Sequence, residues 1–157
     1  MIGGTAEYTA PEPIGAASIR YYALAVGSDP ARWEEEAFPT LVCDTNQTTG
    51  RGVPDRAGFI GHTWDLPLPV RCVMIRGGND YRFHAPVRPE TRVSTRWELT
   101  DAHERTDRGG TVMLVVTATA TYTDQDGGLL ATNTETLLFR PAAPSPLPEP
   151  DPGTVSR

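Results

Sequence analysis

The 157-residue sequence is short of several things that would announce a function. It has two cysteines, Cys43 and Cys72, too far apart for a C-x-x-C redox pair and without the companions of a zinc site, so both are read as small buried hydrophobes. No apolar run approaches the ~20 residues needed to cross a bilayer. The opening MIGGTAEYTAPEP has neither the basic nor the apolar stretch of a secretory signal. A soluble, cytoplasmic protein with a single core is therefore expected, and the Asn46-Gln47-Thr48 sequon is read as accidental. The basic residues are scattered arginines, and the formal net charge is −6. Nucleic acid and anionic membrane surfaces would be repelled overall, and neither is an expected partner.

What is present is mostly periodicity. Ile19, Tyr22, Ala23 and Val26 recur at the i, i+3, i+4, i+7 spacing of one helical face and predict a short helix. Gly27 sits where a helix-ending glycine belongs, and Asp29-Pro30 supplies an N-cap and a first-turn proline for a second short helix through Trp33. Glu34, Glu35 and Glu36 then read as its solvated early turns, because consecutive helical positions diverge and cannot converge on one metal ion. From Phe38 to Leu68 no period holds, which indicates loops.

Beyond that segment the period becomes two. Tyr81, Phe83 and Ala85 alternate with Arg82 and His84. Gly77 and Gly78 read as a turn into this strand, since no phosphate-loop pattern follows them. A longer strand starting near Thr91 places Val93, Thr95, Trp97 and Leu99 on one face. Val112 to Tyr122 alternates apolar residues with an increasingly threonine-rich face. Asp124-Gln125-Asp126-Gly127-Gly128 supplies turn chemistry, and Leu129 to Phe139 closes a hairpin. A calcium loop would need later ligands and a closing glutamate that are missing. Helix first and strands afterwards, with no helices between them, predict an α+β antiparallel sheet with helix on one face and exclude a Rossmann-type fold. Residues 1–140 form the expected domain, and 141–157, rich in Pro-x units, an extended tail or linker.

Particular blocks are similar to a known family. IGAASIRYYALAVGSDP resembles the helix opening the N-terminal half of MaoC-like dehydratases, the FAS1-like dehydratase domain, and PTLVCD resembles the stretch that follows it. GGNDYRFHAPVRPETRVSTRWELTDAHERTDRGGTVMLVVTATATYTDQDGGLLATNTETLLFR resembles the family's strand set almost end to end. The resemblance implies a hot-dog fold, a long antiparallel sheet wrapped around a central helix. It also implies acyl thioesters, on coenzyme A or acyl carrier protein, as substrates, and pairing with a second hot-dog domain.

Hydrating an enoyl thioester requires a water at the β-carbon, a base, and donors for the thioester oxygen. Catalytic members of the family carry an aspartate and a histidine for this in a stretch resembling G-D-x-N-P-x-H. Here the matching Gly27 to Trp33 keeps an aspartate and a proline but has no histidine. Asp29 is read first as a helix cap. Asp29 and His62 are the only weak catalytic candidates, while His84 and His103 are read as structural or exposed. Trp64, Tyr81 and Phe83 are candidate acyl-binding residues, with core packing the competing reading. No cofactor and no metal are expected. The resemblance implies a non-catalytic, acyl-pocket-forming subunit of an enoyl-thioester hydratase or 3-hydroxyacyl-thioester dehydratase, beside a second MaoC-like subunit carrying the Asp/His motif. The alternatives are a self-sufficient hydratase or thioesterase homodimer, distinguished by turnover of the chain alone, and a non-enzymatic acyl-CoA-binding scaffold, distinguished by binding without turnover.

Overall fold

The computed structural model describes residues 2–42, 62, 64 and 66–142. Cys43, the sequon and almost all of the Pro-rich end lie outside these residues. Among the described residues the main elements are β1 (Thr5–Thr9), α1 (Ala16–Ala25), β2 (Cys72–Phe83), β3 (Ser94–Thr106), β4 (Val112–Thr123) and β5 (Leu129–Pro141). The strands make one antiparallel sheet in the order β1-β3-β4-β5-β2. This is the expected α+β hot-dog arrangement.

The helix is ten residues long, with no side-chain cap, no acidic residue in its first turn and no basic residue in its last. Helices of that length are marginal on their own, so packing must hold it. Ile19 and Ala23 are buried against Trp97, Tyr122, Leu130 and a floor of Ala118, Ala120 and Ala131. These small residues let the helix approach the sheet. Its end is a Schellman closure: Gly27 N–H donates to Leu24 O and Ser28 N–H to Ala23 O, with Gly27 at φ 74°. Val26, expected on the buried face, falls outside the helix and is exposed.

The other end of the same sheet face buries Leu99, Val116, Leu137 and Phe139 beneath Leu66 and Leu68. On the opposite face of the sheet, Thr117, Thr119 and Thr121 of β4 stand directly across from Thr136, Thr134 and Thr132 of β5. Such threonine pairs stabilise a solvated face. In the β4–β5 turn the Asp124 carboxylate accepts from the Asp126 and Gly128 amides, at 2.9 and 2.7 Å, so backbone engages one of its oxygens.

Other features also differ from the sequence reading. The lead-in contains β1, an edge strand pairing Ala6 with Trp97. The second helix is a single 3-10 turn, Pro30–Trp33, which leaves Glu34 to Glu36 exposed beyond it rather than in helical turns. Gly77 and Gly78 lie inside β2, where the ladder shifts register between Arg76 and Gly78. Pro141 belongs to β5, opposite Cys72, and that cysteine is only partly buried.

Candidate functional site

The candidate site is an apolar cleft of about 250 Å³ beside the 3-10 turn. Trp33, Val42, Phe83, Val87 and Leu130 wall it, and Glu36 and His84 stand at its lining. Each wall arrives by a different local device. Asp29 Oδ1 accepts from the Ala31 amide at 3.0 Å and Pro30 fixes the first φ, which together start the turn that carries Trp33. Trp33 Nε1 donates to Ser28 Oγ at 2.9 Å, and its ring lies 4.9 Å from that of Phe38. Those contacts hold the indole against the cleft. From the sheet side, Phe83 ends β2 at 45% exposure, and the Ala37 amide donates to Val87 O at 2.7 Å, tying the two walls together.

The polar groups at the lining do not form a catalytic pair. Glu36 accepts from Arg88 at 3.3 Å, while His84 Nε2 lies 3.4 Å from Thr132 Oγ1. A carboxylate–imidazole contact does exist in Asp101 and His103, 2.9 Å apart on β3. Both are 55% exposed and neither lines the cleft, so water would compete for any charge they stabilised. Among the described residues there is no cluster of three or more metal-binding side chains. What the cleft can do is take up an apolar group.

Of the residues singled out in the sequence, Phe83 lines the cleft. Tyr81 stacks on Phe83 at 5.9 Å but packs inward against Tyr122 and the core. Trp64 packs between the two core clusters and meets His62 edge-on at 4.6 Å. His62 is 8% exposed, with Nδ1 2.7 Å from Tyr8 Oη and its ring stacked on Trp97 at 5.2 Å. That is the surrounding of a packed histidine. Asp29 serves the backbone of its own turn. Val42, Val87 and Leu130 were not anticipated, because nothing in a local window shows that such distant positions converge.

Comparison with known proteins agrees with this architecture. A family model described as the FAS1-like, dehydratase domain region matches residues 1–133. The chain belongs to this FAS1-like, MaoC-like dehydratase family. Curated proteins give no match. Among solved structures, the ChsH1-ChsH2 complex from Mycobacterium tuberculosis is similar at 18% identity and TM-score 0.65, covering 93% of this chain and 90% of that one. A MaoC-like dehydratase from Rhodospirillum rubrum is similar at 15% identity and TM-score 0.59, with coverage of 91% and 94%. The C-terminally truncated HadBC (3R-hydroxyacyl-ACP dehydratase) complex from Mycobacterium tuberculosis follows at 17% identity and TM-score 0.53, with coverage of 88% and 98%. At these identities the likeness establishes the hot-dog fold. No helix among the described residues is long and apolar enough to cross a membrane.

Proposed function

We propose that this chain is the non-catalytic, acyl-pocket-forming subunit of a two-subunit enoyl-thioester hydratase or 3-hydroxyacyl-thioester dehydratase. The observation that carries this reading is the cleft itself: an apolar wall with Trp33 closing the stretch in which catalytic relatives carry histidine. The chain's own residues bind the acyl group and exclude water, contributing about 0.8 kcal/mol for each methylene buried. The second MaoC-like subunit brings the aspartate and histidine that place the water and move its proton at the β-carbon. Two of the similar structures, ChsH1-ChsH2 and HadBC, are complexes, which supports a second hot-dog subunit.

The reading is tested by filling the cleft. Ala85 lines it and is exposed, so Ala85→Trp obstructs the space without disturbing the core. In the complex with a catalytic subunit, KM for the enoyl thioester should rise several-fold while kcat changes little, as expected when binding common to ground and transition states is lost. Unchanged KM and kcat would contradict an acyl role for the cleft.

A further inference from the structure

The register shift at Gly77 sorts the side chains of β2 between the two faces of the sheet. Before it, Met74 and Arg76 lie across from the buried Phe139 and Leu137. After it, Asn79, Tyr81 and Phe83 lie across from the buried Glu135, Asn133 and Ala131. Residues directly opposite in an antiparallel pair share a face, so these five stand on the core face and Val73, Ile75, Asp80 and Arg82 on the outer one. A regular strand would put Arg76 and Asn79 on opposite faces. The extra residue at the bulge brings them to the same one. The helix packs over the middle of the sheet and not over this margin, and Val73 through Asp80 are all exposed.

A buried polar pair backs the exposed one. Glu135 and Asn133 of β5 are 2% and 1% exposed, with Ala118 and Ala120 as their β4 neighbours. Arg76 donates to Glu135, and Asn133 Nδ2 donates to Asn79 Oδ1 at 2.8 Å. Burying a carboxylate and an amide costs stability that aliphatic side chains would not, and the next positions on this face, Leu137 and Phe139, are apolar. What the buried pair supplies is orientation. With its oxygen engaged from below, Asn79 turns its Nδ2 donors to the open side, and Glu135 holds the planar donor fork of Arg76 beside it.

We propose that Arg76 and Asn79 form a binding site for a carbonyl oxygen of the acyl-thioester substrate. The inference rests on the acyl-pocket reading above and extends it from the apolar end of the ligand to its polar part. Glu135 offsets the Arg76 charge and Asn79 is neutral, so donors are presented without net positive charge. That suits a neutral acceptor better than a phosphate or a carboxylate. At about 3.3 Å per residue, Asn79 lies roughly 13 Å along β2 from Phe83 of the cleft. Tyr81 stands between them on the same face, its ring stacked on that of Phe83. A ligand with its apolar end in the cleft therefore reaches Arg76 and Asn79 along this face when a carbonyl sits that far from the end. Two carbonyls of an acyl thioester qualify, its own and the nearest amide of the carrier arm.

The test measures, by calorimetry, binding of decanoyl-CoA and of its thioether analogue decyl-CoA to the full chain in complex with a catalytic subunit. The saturated thioester has no double bond to hydrate, so binding alone is read. Asn79→Asp keeps the oxygen that accepts from Asn133 and replaces the outward donor with an acceptor. Arg76→Lys keeps a charge for Glu135 and loses the fork. Each should weaken decanoyl-CoA about tenfold, with thermal melts close to those of the parent. A thioether whose binding neither substitution changes identifies the thioester carbonyl as the group held, and a thioether weakened in parallel identifies the carrier amide. Unchanged affinity for decanoyl-CoA in both variants, with Ala85→Trp still weakening it, would overturn this inference and leave the acyl-pocket reading standing. If Ala85→Trp also left that affinity unchanged, both would fail.

Discussion

Gly77→Ala and Gly78→Ala are neighbouring substitutions of the same kind with opposite expected outcomes. A Cβ on Gly77 would lie 2.8 Å from Leu138 Cδ1, 3.1 Å from Thr136 O and 3.2 Å from Thr136 Cγ2. The leucine tip can rotate away, but the Thr136 carbonyl belongs to the β2–β5 ladder and cannot move without loosening it. Overpacking of this sort costs about 1–3 kcal/mol. At roughly 2–4 °C per kcal/mol for a chain of this size, Tm should fall by about 2–12 °C. A Cβ on Gly78 meets nothing within 4 Å, and its φ is not positive. Alanine there should be neutral or stabilising by up to about 1 kcal/mol, because glycine loses more chain entropy in a strand. Thermal and urea unfolding followed by circular dichroism would read both. Equal effects, or a reversed order, would refute the close packing at the bulge and with it the assignment of β2 side chains to the two faces.

Asp29→Ala removes the acceptor for the Ala31 amide and should cost about 0.5–2 kcal/mol in urea unfolding, while turnover per folded two-subunit complex stays nearly unchanged. Glu135 ion-pairs with Arg76, yet burial holds its carboxyl pKa above the ordinary carboxylate value, and the Arg76 charge offsets this only in part. Its contribution to stability is therefore complete below the unfolded carboxylate pKa and is lost as pH rises through the folded one. Urea midpoints stepped upward from acidic pH should show that loss, and Glu135→Gln should flatten it; a wild-type midpoint that rises across this window and is unmoved by the substitution would contradict the assignment. Removing residues 143–157 should leave cooperative unfolding and pairing intact, whereas a cut before Pro141 should also lower stability by about 0.5–1.5 kcal/mol, because Pro141 pairs with Cys72 and the Ala142 amide donates to Arg71 O at 2.9 Å. Calorimetry of the two truncations separates these outcomes.

The parts of the fold that were readable in the sequence are those with one wet and one dry face. β4 and β5 alternate because helix and core lie on one side and water on the other, and α1 shows Ile19 and Ala23 for the same reason. β2 is an edge strand exposed on most of its length, so burial imposes no period on Cys72 to Asp80, and the bulge inverts the alternation midway. Its two glycines then look like punctuation. β1 is short, with Ala6 and Tyr8 alone facing inward among Thr and Glu. At the candidate site, the Asp29 contact spans two residues and was legible. The cleft joins Trp33, Val42, Val87 and Leu130 through tertiary packing, which no local pattern encodes.

The measurement that bears most directly on the proposed role is hydration of an enoyl thioester by the purified chain alone and after addition of a catalytic MaoC-like subunit. General acid–base groups contribute about 10²- to 10⁴-fold each, so the chain alone should stay at or near background and turnover should appear only with the partner. Hydration by the chain alone at the rate of the complex would show that it carries its own catalytic groups, and the account of it as the pocket-forming partner would be wrong.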